Sequence, residues 1–373
     1  KSFNAETGAL EWTTYTVPGP GEPGNETWPG ETWRQGGAPT WVTGSYDPEL
    51  NIVYWGTGNP GPWDPNVRSG DNLYSNCVLA INPDDGKIKW YFQYTPNDGW
   101  DYDGVNTPVL VDVPLQGQPV KALIQPNRNG FFYMLNRETG KFIYAMPMIE
   151  GINWTTGIDP VTGRPTPNPE KVVKTGGPTV EDIVPGLEGG VNWSPLAYNP
   201  QTRLAYVTVN DWSMSLKAEP VEYKRGQWYT GETYQMYQTG KPTGHLTAID
   251  VVNRRIVWDW PSPLHLFAGT LATAGGLVFT GDAYGYVRAF DDRTGAPLWK
   301  FQTGSAINAP VVSYEIDGVQ YVAVLSGMGG DLGYYLAGQK SGMLWAFALR
   351  NLGVTEDESG GFPQTNDNLK RKP

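Results

Sequence analysis

A short pattern recurs along the 373-residue chain and limits the folds that it can adopt. Each copy has an apolar run, a turn rich in Asp or Asn and usually Gly, and a second run that ends in an aromatic residue. The copies FNAETGALEW, LAINPDDGKIKW, FYMLNRETGKFIY, LTAIDVVNRRIVW and VRAFDDRTGAPLW end at Trp12, Trp90, Tyr144, Trp258 and Trp299. Two such runs joined by such a turn predict a β-hairpin.

A single hairpin cannot bury its apolar face, so the hairpins must pack against one another. Further strand pairs lie between the copies, such as SYDPELNIVYWGTGN and LAYNPQTRLAYVTVN. The last two copies end 41 residues apart, which favours radially arranged four-stranded sheets over a solenoid. The 47 Gly, 32 Pro, 16 Trp and 21 Tyr residues are typical of short strands and tight turns. We therefore predict an all-β fold, a β-propeller of four-stranded blades.

Composition argues against several classes of function. The net charge of −11 argues against a nucleic-acid partner and against an anionic membrane surface. No run of 18 apolar residues is present, so we expect no membrane span. Cys77 is the single cysteine, which rules out an internal disulfide, and two histidines are too few for a His-rich zinc or iron site. We expect His245 and His265 to have surface or structural roles.

The form D-x-x-T-G-x-x-x-W resembles the tryptophan-docking repeat of the quinoprotein alcohol and methanol dehydrogenases, which use pyrroloquinoline quinone (PQQ). Other stretches resemble that family in its chain order, namely GSYDPELNIVYWGTGNPGPWD, GDNLYSNCVLAINPDDGKIKW, WDYDGVN, NRNGFFYMLNRETG, GVNWSPLAYNP and LATAGGLVFTGDAYGYVRAFD. The resemblance covers about residues 1–349, which we predict to form the propeller domain. We expect the polar segment 350–373 to be a C-terminal tail.

The resemblance also implies that parts of the family's protein are missing here. Propellers of this family have eight blades, and the chain resembles the later ones. We therefore expect the first blades to be absent, with their acidic metal ligand, an arginine and a vicinal disulfide, as well as the signal peptide. The chain could then be inactive by itself. Phe267 stands where many relatives have a tryptophan at the cofactor edge.

The resemblance implies a set of residues that contact the cofactor. Trp41, in GGAPTW, matches the tryptophan on which the PQQ ring lies, and a flat indole suits a flat, electron-poor ring. Thr40 is a candidate for a hydrogen bond to PQQ. Arg128, in PNRNGF, matches the arginine that binds the quinone oxygens, and Asn192 and Trp193, in GVNWSP, match residues near the rim. An ordinary core tryptophan and a loose surface arginine are the alternatives.

The same resemblance implies a metal site beside a catalytic base. Asn59, in GTGNPGPW, matches an amide ligand, and a side-chain carbonyl suits a hard cation. Asp101, in WDYDGVN, matches the aspartate that takes the alcohol's proton as hydride passes to the quinone, and it also lies at the metal. Asp103 resembles the additional aspartate of the lanthanide-dependent branch, where a trivalent ion gains from another anionic ligand. The alternative is that Asn59 and Asp103 only stabilise turns.

The implied function is periplasmic oxidation of a primary alcohol to the aldehyde. Hydride passes to metal-bound PQQ, and the electrons pass to a cytochrome c. Trp63 matches an aromatic wall of the substrate pocket. The resemblance implies a lanthanide(III) ion, with Ca²⁺ as the alternative, and a homodimer is a possible assembly. A non-catalytic propeller that serves as a binding scaffold is the competing hypothesis, although it gives no reason for all these matches to occur together.

Overall fold

The protein is described by a computed structural model that covers residues 1–238, 243–327 and 342–349. These residues form short strands and a few single-turn 3₁₀ helices. The strands are β1 (Ser2–Phe3), β2 (Leu10–Trp12), β3 (Ser45–Asp47), β4 (Ile52–Gly56), β5 (Cys77–Ile81), β6 (Ile88–Gln93), β7 (Val109–Leu115), β8 (Gln118–Pro126), β9 (Phe131–Asn136), β10 (Phe142–Pro147), β11 (Thr155–Ile158), β12 (Pro165–Pro167), β13 (Val180–Ile183), β14 (Ala197–Asn199), β15 (Leu204–Asn210), β16 (Trp212–Ala218), β17 (Glu232–Gln238), β18 (Gly244–Asp250), β19 (Arg255–Ser262), β20 (Leu271–Ala272), β21 (Leu277–Gly281), β22 (Tyr286–Asp291), β23 (Pro297–Gln302), β24 (Val312–Ile316), β25 (Val319–Ser326) and β26 (Met343–Ala348). The helices are Asn25–Thr27, Thr32–Gln35, Pro65–Arg68 and Pro169–Lys171.

Within the described ranges, four antiparallel sheets have four strands each, as the repeat predicts. Their strand orders are β3-β4-β5-β6, β7-β8-β9-β10, β14-β15-β18-β19 and β20-β21-β22-β23. Strands β24, β25 and β26 form a three-stranded sheet, and β1 pairs with β2. The predicted tail at 350–373 lies outside the described residues. Within the described ranges, we find no helix with the length and apolar character that a membrane crossing needs.

The apolar cores lie between neighbouring sheets. Val111 and Ile124, from the second four-stranded sheet, pack in one cluster with Ala205, Val207 and Ile249 from the third. The second and third four-stranded sheets therefore share an apolar core, which is the arrangement expected of neighbouring blades of a propeller.

The glycine of the repeated turn packs against the aromatic residue that ends the preceding hairpin. These glycines have positive φ angles of 70–73°, and an added Cβ would lie 2.5–2.6 Å from a ring carbon of the tryptophan. The tryptophan–glycine pairs are Trp12–Gly86, Trp90–Gly140 and Trp258–Gly295. Glycine is required both for the left-handed backbone and for the close approach of the indole. The docking repeat thus joins successive sheets.

One sheet interrupts a blade. Strands β16 and β17 form a hairpin between β15 and β18, and β13 adds to its edge. Met214 and Leu216 of β16 pack in one apolar cluster with Trp100, Tyr102 and Trp154. This inserted sheet therefore covers the segment that carries Asp101.

Candidate active site

The two predicted carboxylates lie in residues 98–106, which connect β6 to β7. The backbone N–H groups of Trp100 and Tyr102 donate to the Asp98 carboxylate over 2.9 and 3.0 Å, and this fixes the turn. Trp100 and Tyr102 belong to the apolar cluster under the inserted sheet. Asp101, between them, has a φ of 61°, in the left-handed region that Asp tolerates better than most residues. Unlike the rings of Trp100 and Tyr102, which lie in the apolar cluster, the Asp101 carboxylate lies beside Arg128.

Gln125 ties this segment to strand β8. Its side-chain N–H groups donate to the carbonyls of Gly104 and Asn106 over 2.9 and 2.7 Å, and its carbonyl accepts from the Tyr94 hydroxyl at 2.5 Å. Gln125 is fully buried, so these bonds fix the segment relative to the strand that leads to Arg128. Sequence reasoning missed this residue. A polar residue at the end of the apolar run in KALIQP is the signal that could have identified it.

The structure brings Asp101, Asp103 and Arg128 together. Arg128 Nη1 lies 2.6 Å from Asp103 Oδ2, and Nη2 lies 3.4 Å from Asp101 Oδ2. Nη2 also donates to the carbonyl of Leu187 over 2.8 Å. The three charged residues are only 8, 3 and 5% exposed. The guanidinium therefore bridges two carboxylates that are both held away from water.

Burial and charge shift the protonation of this cluster in opposing ways. Burial raises the pKa of Asp101 well above its usual range, which Arg128 opposes and Asp103 reinforces. Burial also raises the pKa of Asp103, against the opposing effects of Arg128 and the Asn59 N–H. Burial alone would lower the pKa of Arg128, but the surrounding carboxylates raise it overall. The cluster has more acidic groups than the single guanidinium can stabilise in charged form.

Glu188 is a third carboxylate at the same guanidinium, and sequence reasoning did not find it. Its Oε2 lies 4.0 Å from Arg128 Nη2 and accepts a hydrogen bond from Asn192 Nδ2 over 2.6 Å. Asn106 Nδ2 donates to the Asn192 carbonyl, and the Trp193 N–H donates to Asn192 Oδ1 over 2.9 Å. Asn192 is therefore joined to the carboxylate cluster through Glu188. The glycine-rich stretch PGLEGGV gives no local signal for this role.

The segment that carries Trp41 runs beside the one that carries Asn59. The Gly58 N–H donates to the Pro39 carbonyl over 2.8 Å, and the Asn59 N–H donates to Asp103 Oδ1 over 2.6 Å. Asn59 thus contacts Asp103 through its backbone. The indole of Trp41 is 50% exposed, so this tryptophan is not the ordinary core residue of the alternative reading. Thr40, next to it, is exposed as well.

Trp63 lies between the Asp101 segment and the inserted sheet. Its N–H donates to the Thr230 carbonyl over 2.7 Å, and its ring centroid lies 6.2 Å from that of Tyr234. Trp63 also packs against the apolar cluster that contains Trp100 and Tyr102. Trp63 therefore packs beside the segment that carries Asp101, and its role as a wall of the substrate pocket stays a prediction.

Trp193 lines an open cavity of about 470 Å³ next to the last sheet. Its other lining residues are Asn308, Ala309, Leu325, Ser326, Gly327, Gly342, Met343 and Leu344. Asn192 joins the carboxylate cluster, whereas the Trp193 side chain borders this separate space. The two adjacent residues therefore face different surroundings.

The histidines lie apart from the carboxylate cluster. His245 is held between Asp211 and Asp259 at 2.9 and 2.6 Å, and His265 is buried beside Phe267. Among residues 1–238, 243–327 and 342–349, no three His, Cys, Asp or Glu side chains are arranged to hold a metal ion. The predicted metal ligands are two carboxylates, Asp101 and Asp103, and the amide of Asn59. This set therefore differs in composition from a cluster of three His, Cys, Asp or Glu side chains.

Comparison with known proteins assigns the family. The family model for the β-propeller domain of PQQ-dependent glucose, ethanol and alcohol dehydrogenases matches residues 1–150 and 177–322. The chain belongs to this family. It is 42% identical to the quinoprotein alcohol dehydrogenase PedH of Pseudomonas putida over 94% of its own length. It is 41% identical to the lanthanide-dependent methanol dehydrogenase of Methylacidiphilum fumariolicum over 86% of its length.

Solved structures of alcohol and methanol dehydrogenases share the fold. A europium-containing methanol dehydrogenase has a TM-score of 0.85 at 36% identity over 90% of this chain. The quinohemoprotein alcohol dehydrogenase of Comamonas testosteroni has a TM-score of 0.85 at 34% identity over 97% of it. These matches confirm the predicted propeller. The chain spans 63% of PedH and 53% of the Methylacidiphilum enzyme, and 63% and 58% of the two solved chains.

Proposed function

We propose that the protein oxidises a primary alcohol to the aldehyde as a PQQ-dependent alcohol dehydrogenase. The observation that carries this proposal is the buried cluster of Asp101, Asp103 and Arg128. Burying charged groups costs several kcal/mol per ion unless other interactions offset it. A binding scaffold would gain nothing from this cost, whereas an enzyme uses such groups to hold a cation and move a proton.

The donor set suits a hard cation. Asp101 and Asp103 offer carboxylate oxygens, and Asn59 adds a side-chain carbonyl from a residue whose backbone already contacts Asp103. Asp101, Asp103 and Glu188 surround a single guanidinium, so a trivalent ion would offset the acidic groups more fully than a divalent one. We therefore propose a lanthanide(III) ion, with Ca²⁺ as the alternative. Relatives named as a lanthanide-dependent and a europium-containing methanol dehydrogenase support this choice.

The residues around the cluster suit PQQ and a small alcohol. The half-exposed indole of Trp41 offers a flat face for the ring, with Thr40 next to it. Arg128 would bind the quinone oxygens, and Asn192 and Trp193 would lie towards the rim. Bound PQQ supplies the acceptor for the hydride.

The chain's own residues would handle the substrate and its proton. Asp101 would take the hydroxyl proton of the alcohol as the carbon–hydrogen bond breaks. Trp63, with Tyr234 beside it, would pack against the alkyl group and exclude water. Arg128 would stabilise the negative charge that develops on the quinone oxygens.

We further propose that electrons leave to a cytochrome c in the periplasm. The net charge of −11 would attract a basic partner, and salt would weaken that attraction. Turnover with the cytochrome should then fall with ionic strength, while a dye-linked assay stays constant. A homodimer remains a prediction that analytical ultracentrifugation would test.

The test is reconstitution of the full-length protein, including the first blades of the propeller, with PQQ and either La³⁺ or Ca²⁺, followed by a dye-linked alcohol assay. We expect La³⁺ to support the higher rate and Asp103→Ala to abolish it while the fold survives. The control Asp85→Ala removes an exposed carboxylate that pairs with Lys87, and it should keep full activity. Equal rates with both ions, or full La³⁺-dependent turnover in Asp103→Ala, would contradict the metal assignment. No alcohol oxidation under any condition would contradict the function.

A further inference from the structure

Glu188 is the carboxylate of the cluster that no part of the proposed chemistry uses. It is 7% exposed, and its Oε2 lies between the Asn192 amide at 2.6 Å and the Arg128 guanidinium at 4.0 Å. Glu188 therefore connects Asn192, which we assign to the rim of the cofactor, with Arg128, which we assign to the quinone oxygens. Placing a further acidic group in a buried site is unfavourable unless it stabilises a particular arrangement.

Binding a cation would change the partners of Arg128. Both oxygens of Asp103 are engaged, because Oδ1 accepts the Asn59 N–H and Oδ2 lies 2.6 Å from Arg128 Nη1. If Asp103 turns an oxygen to a cation, Arg128 loses its shortest ionic contact. Asp101, which lies 3.4 Å from Arg128 Nη2, belongs to the same proposed cation set. Arg128 Nη2 also lies 4.0 Å from Glu188 Oε2 and donates to the Leu187 carbonyl over 2.8 Å, and neither group belongs to that set.

We propose that Glu188 is a positioning residue for Arg128. It holds the guanidinium at its Nη2 end, next to the Asn192 amide, while Asp101 and Asp103 turn towards the cation. This role rests on the proposed function. It implies that removing the charge of Glu188 lets Arg128 compete for Asp103, which weakens cation binding and misplaces the guanidinium.

Terbium(III) luminescence measures the first consequence without any turnover. Tryptophan rings beside the cluster, such as Trp63 and Trp100, can sensitise a bound terbium ion. We expect Glu188→Gln to weaken terbium binding by about 10- to 100-fold, the usual effect of losing a group that orients metal ligands. Glu188→Asp keeps the charge and should recover most of the affinity. The matched control Glu181→Gln removes the charge of an exposed glutamate seven residues earlier and should bind as the wild type does.

A double-mutant cycle shows whether Glu188 acts through Arg128. In an Arg128→Ala background, Glu188→Gln should cause little further loss of terbium affinity, because the residue it holds is gone. An equal loss in both backgrounds would mean that Glu188 acts on the cation directly and would overturn the proposal. Unchanged binding in Glu188→Gln would overturn it too. If the wild type fails to bind terbium, the cation site itself is wrong, and this role falls with it.

Kinetics of the reconstituted protein provide an independent readout. Since Arg128 would act on the quinone oxygens and not on the alcohol, Glu188→Gln at saturating La³⁺ should lower kcat about tenfold or more with little change in KM. A variant that changed only KM would place Glu188 at the substrate and contradict the positioning role. Retained terbium binding by the wild type without alcohol oxidation would refute the proposed function but leave the cation-binding cycle interpretable.

Discussion

Gly295→Ala tests the contact that joins successive blades. Gly295 has a φ of +70°, and an added Cβ would lie 2.6 Å from Cε3 and 2.7 Å from Cδ2 of Trp258. The indole cannot simply rotate away, because its Nε1 donates to the Asp292 carbonyl at 3.1 Å and its ring packs against Tyr206. The substitution therefore strains the backbone and crowds a fixed ring.

The expected cost is the sum of these two effects. A left-handed backbone costs an alanine roughly 1–2 kcal/mol more than a glycine. Forcing extra atoms into a packed contact costs about 1–3 kcal/mol. We therefore expect Gly295→Ala to lower the free energy of unfolding by about 2–5 kcal/mol.

The matched control is Gly304→Ala. Gly304 has a φ of +84°, but an added Cβ would meet nothing within 4 Å, so this variant carries only the backbone cost. Urea unfolding followed by tryptophan fluorescence compares the two variants with the wild type. In a Trp258→Ala background, where the indole is absent, Gly295→Ala should lower the free energy of unfolding only by as much as Gly304→Ala does in the wild type. The reasoning is refuted if Gly295→Ala and Gly304→Ala destabilise the protein equally.

Two further predictions concern charged side chains outside the candidate site. Hydrogen bonds with Asp211 and Asp259 raise the pKa of His245 to about 9. Its stabilisation should be complete below about pH 6.5, the usual histidine pKa, and disappear as the pH rises through 9, so the melting-temperature gap between wild type and His245→Gln should narrow over that range. Arg137→Gln removes the partner that lies 2.7 Å from the buried carboxylate of Asp47 and should cost about 3–5 kcal/mol in urea unfolding. Adding Asp47→Asn should restore part of that loss, and an additive double mutant would contradict the ion-pair explanation.

Local patterns predicted the blades well because each blade is built from them. The stretches SYDPELNIVYWGTGN and LAYNPQTRLAYVTVN became the paired strands β3–β4 and β14–β15. The tryptophan repeat could be read from the sequence because its glycine has a local conformational requirement. The resemblance to a known family also singled out Asp101, Asp103 and Arg128, which lie together in the structure, while their roles stay predictions.

Contacts between distant segments were harder to predict. Glu188 lies near Arg128 although 60 positions separate them in the sequence. No pattern in the residues around Glu188 indicates that this carboxylate has a role at the site. The inserted sheet was missed because ETYQMYQ and WSMSLKA look like ordinary strands, and their sequence does not show which sheet they join. For Asn59, the structure shows that the backbone N–H donates to Asp103. The role of its side chain as a metal ligand stays a prediction.

The inserted hairpin leaves and re-enters its blade at a single point. Asn210, the last residue of β15, pairs with Gly244, the first residue of β18, and the Asp211 N–H donates to the Thr243 carbonyl over 2.9 Å. Because these ends are adjacent, a two-residue turn could close the blade without the hairpin, and a different hairpin could be grafted at the same place. The cover over Asp101 is thus a module that could be replaced without altering the blades.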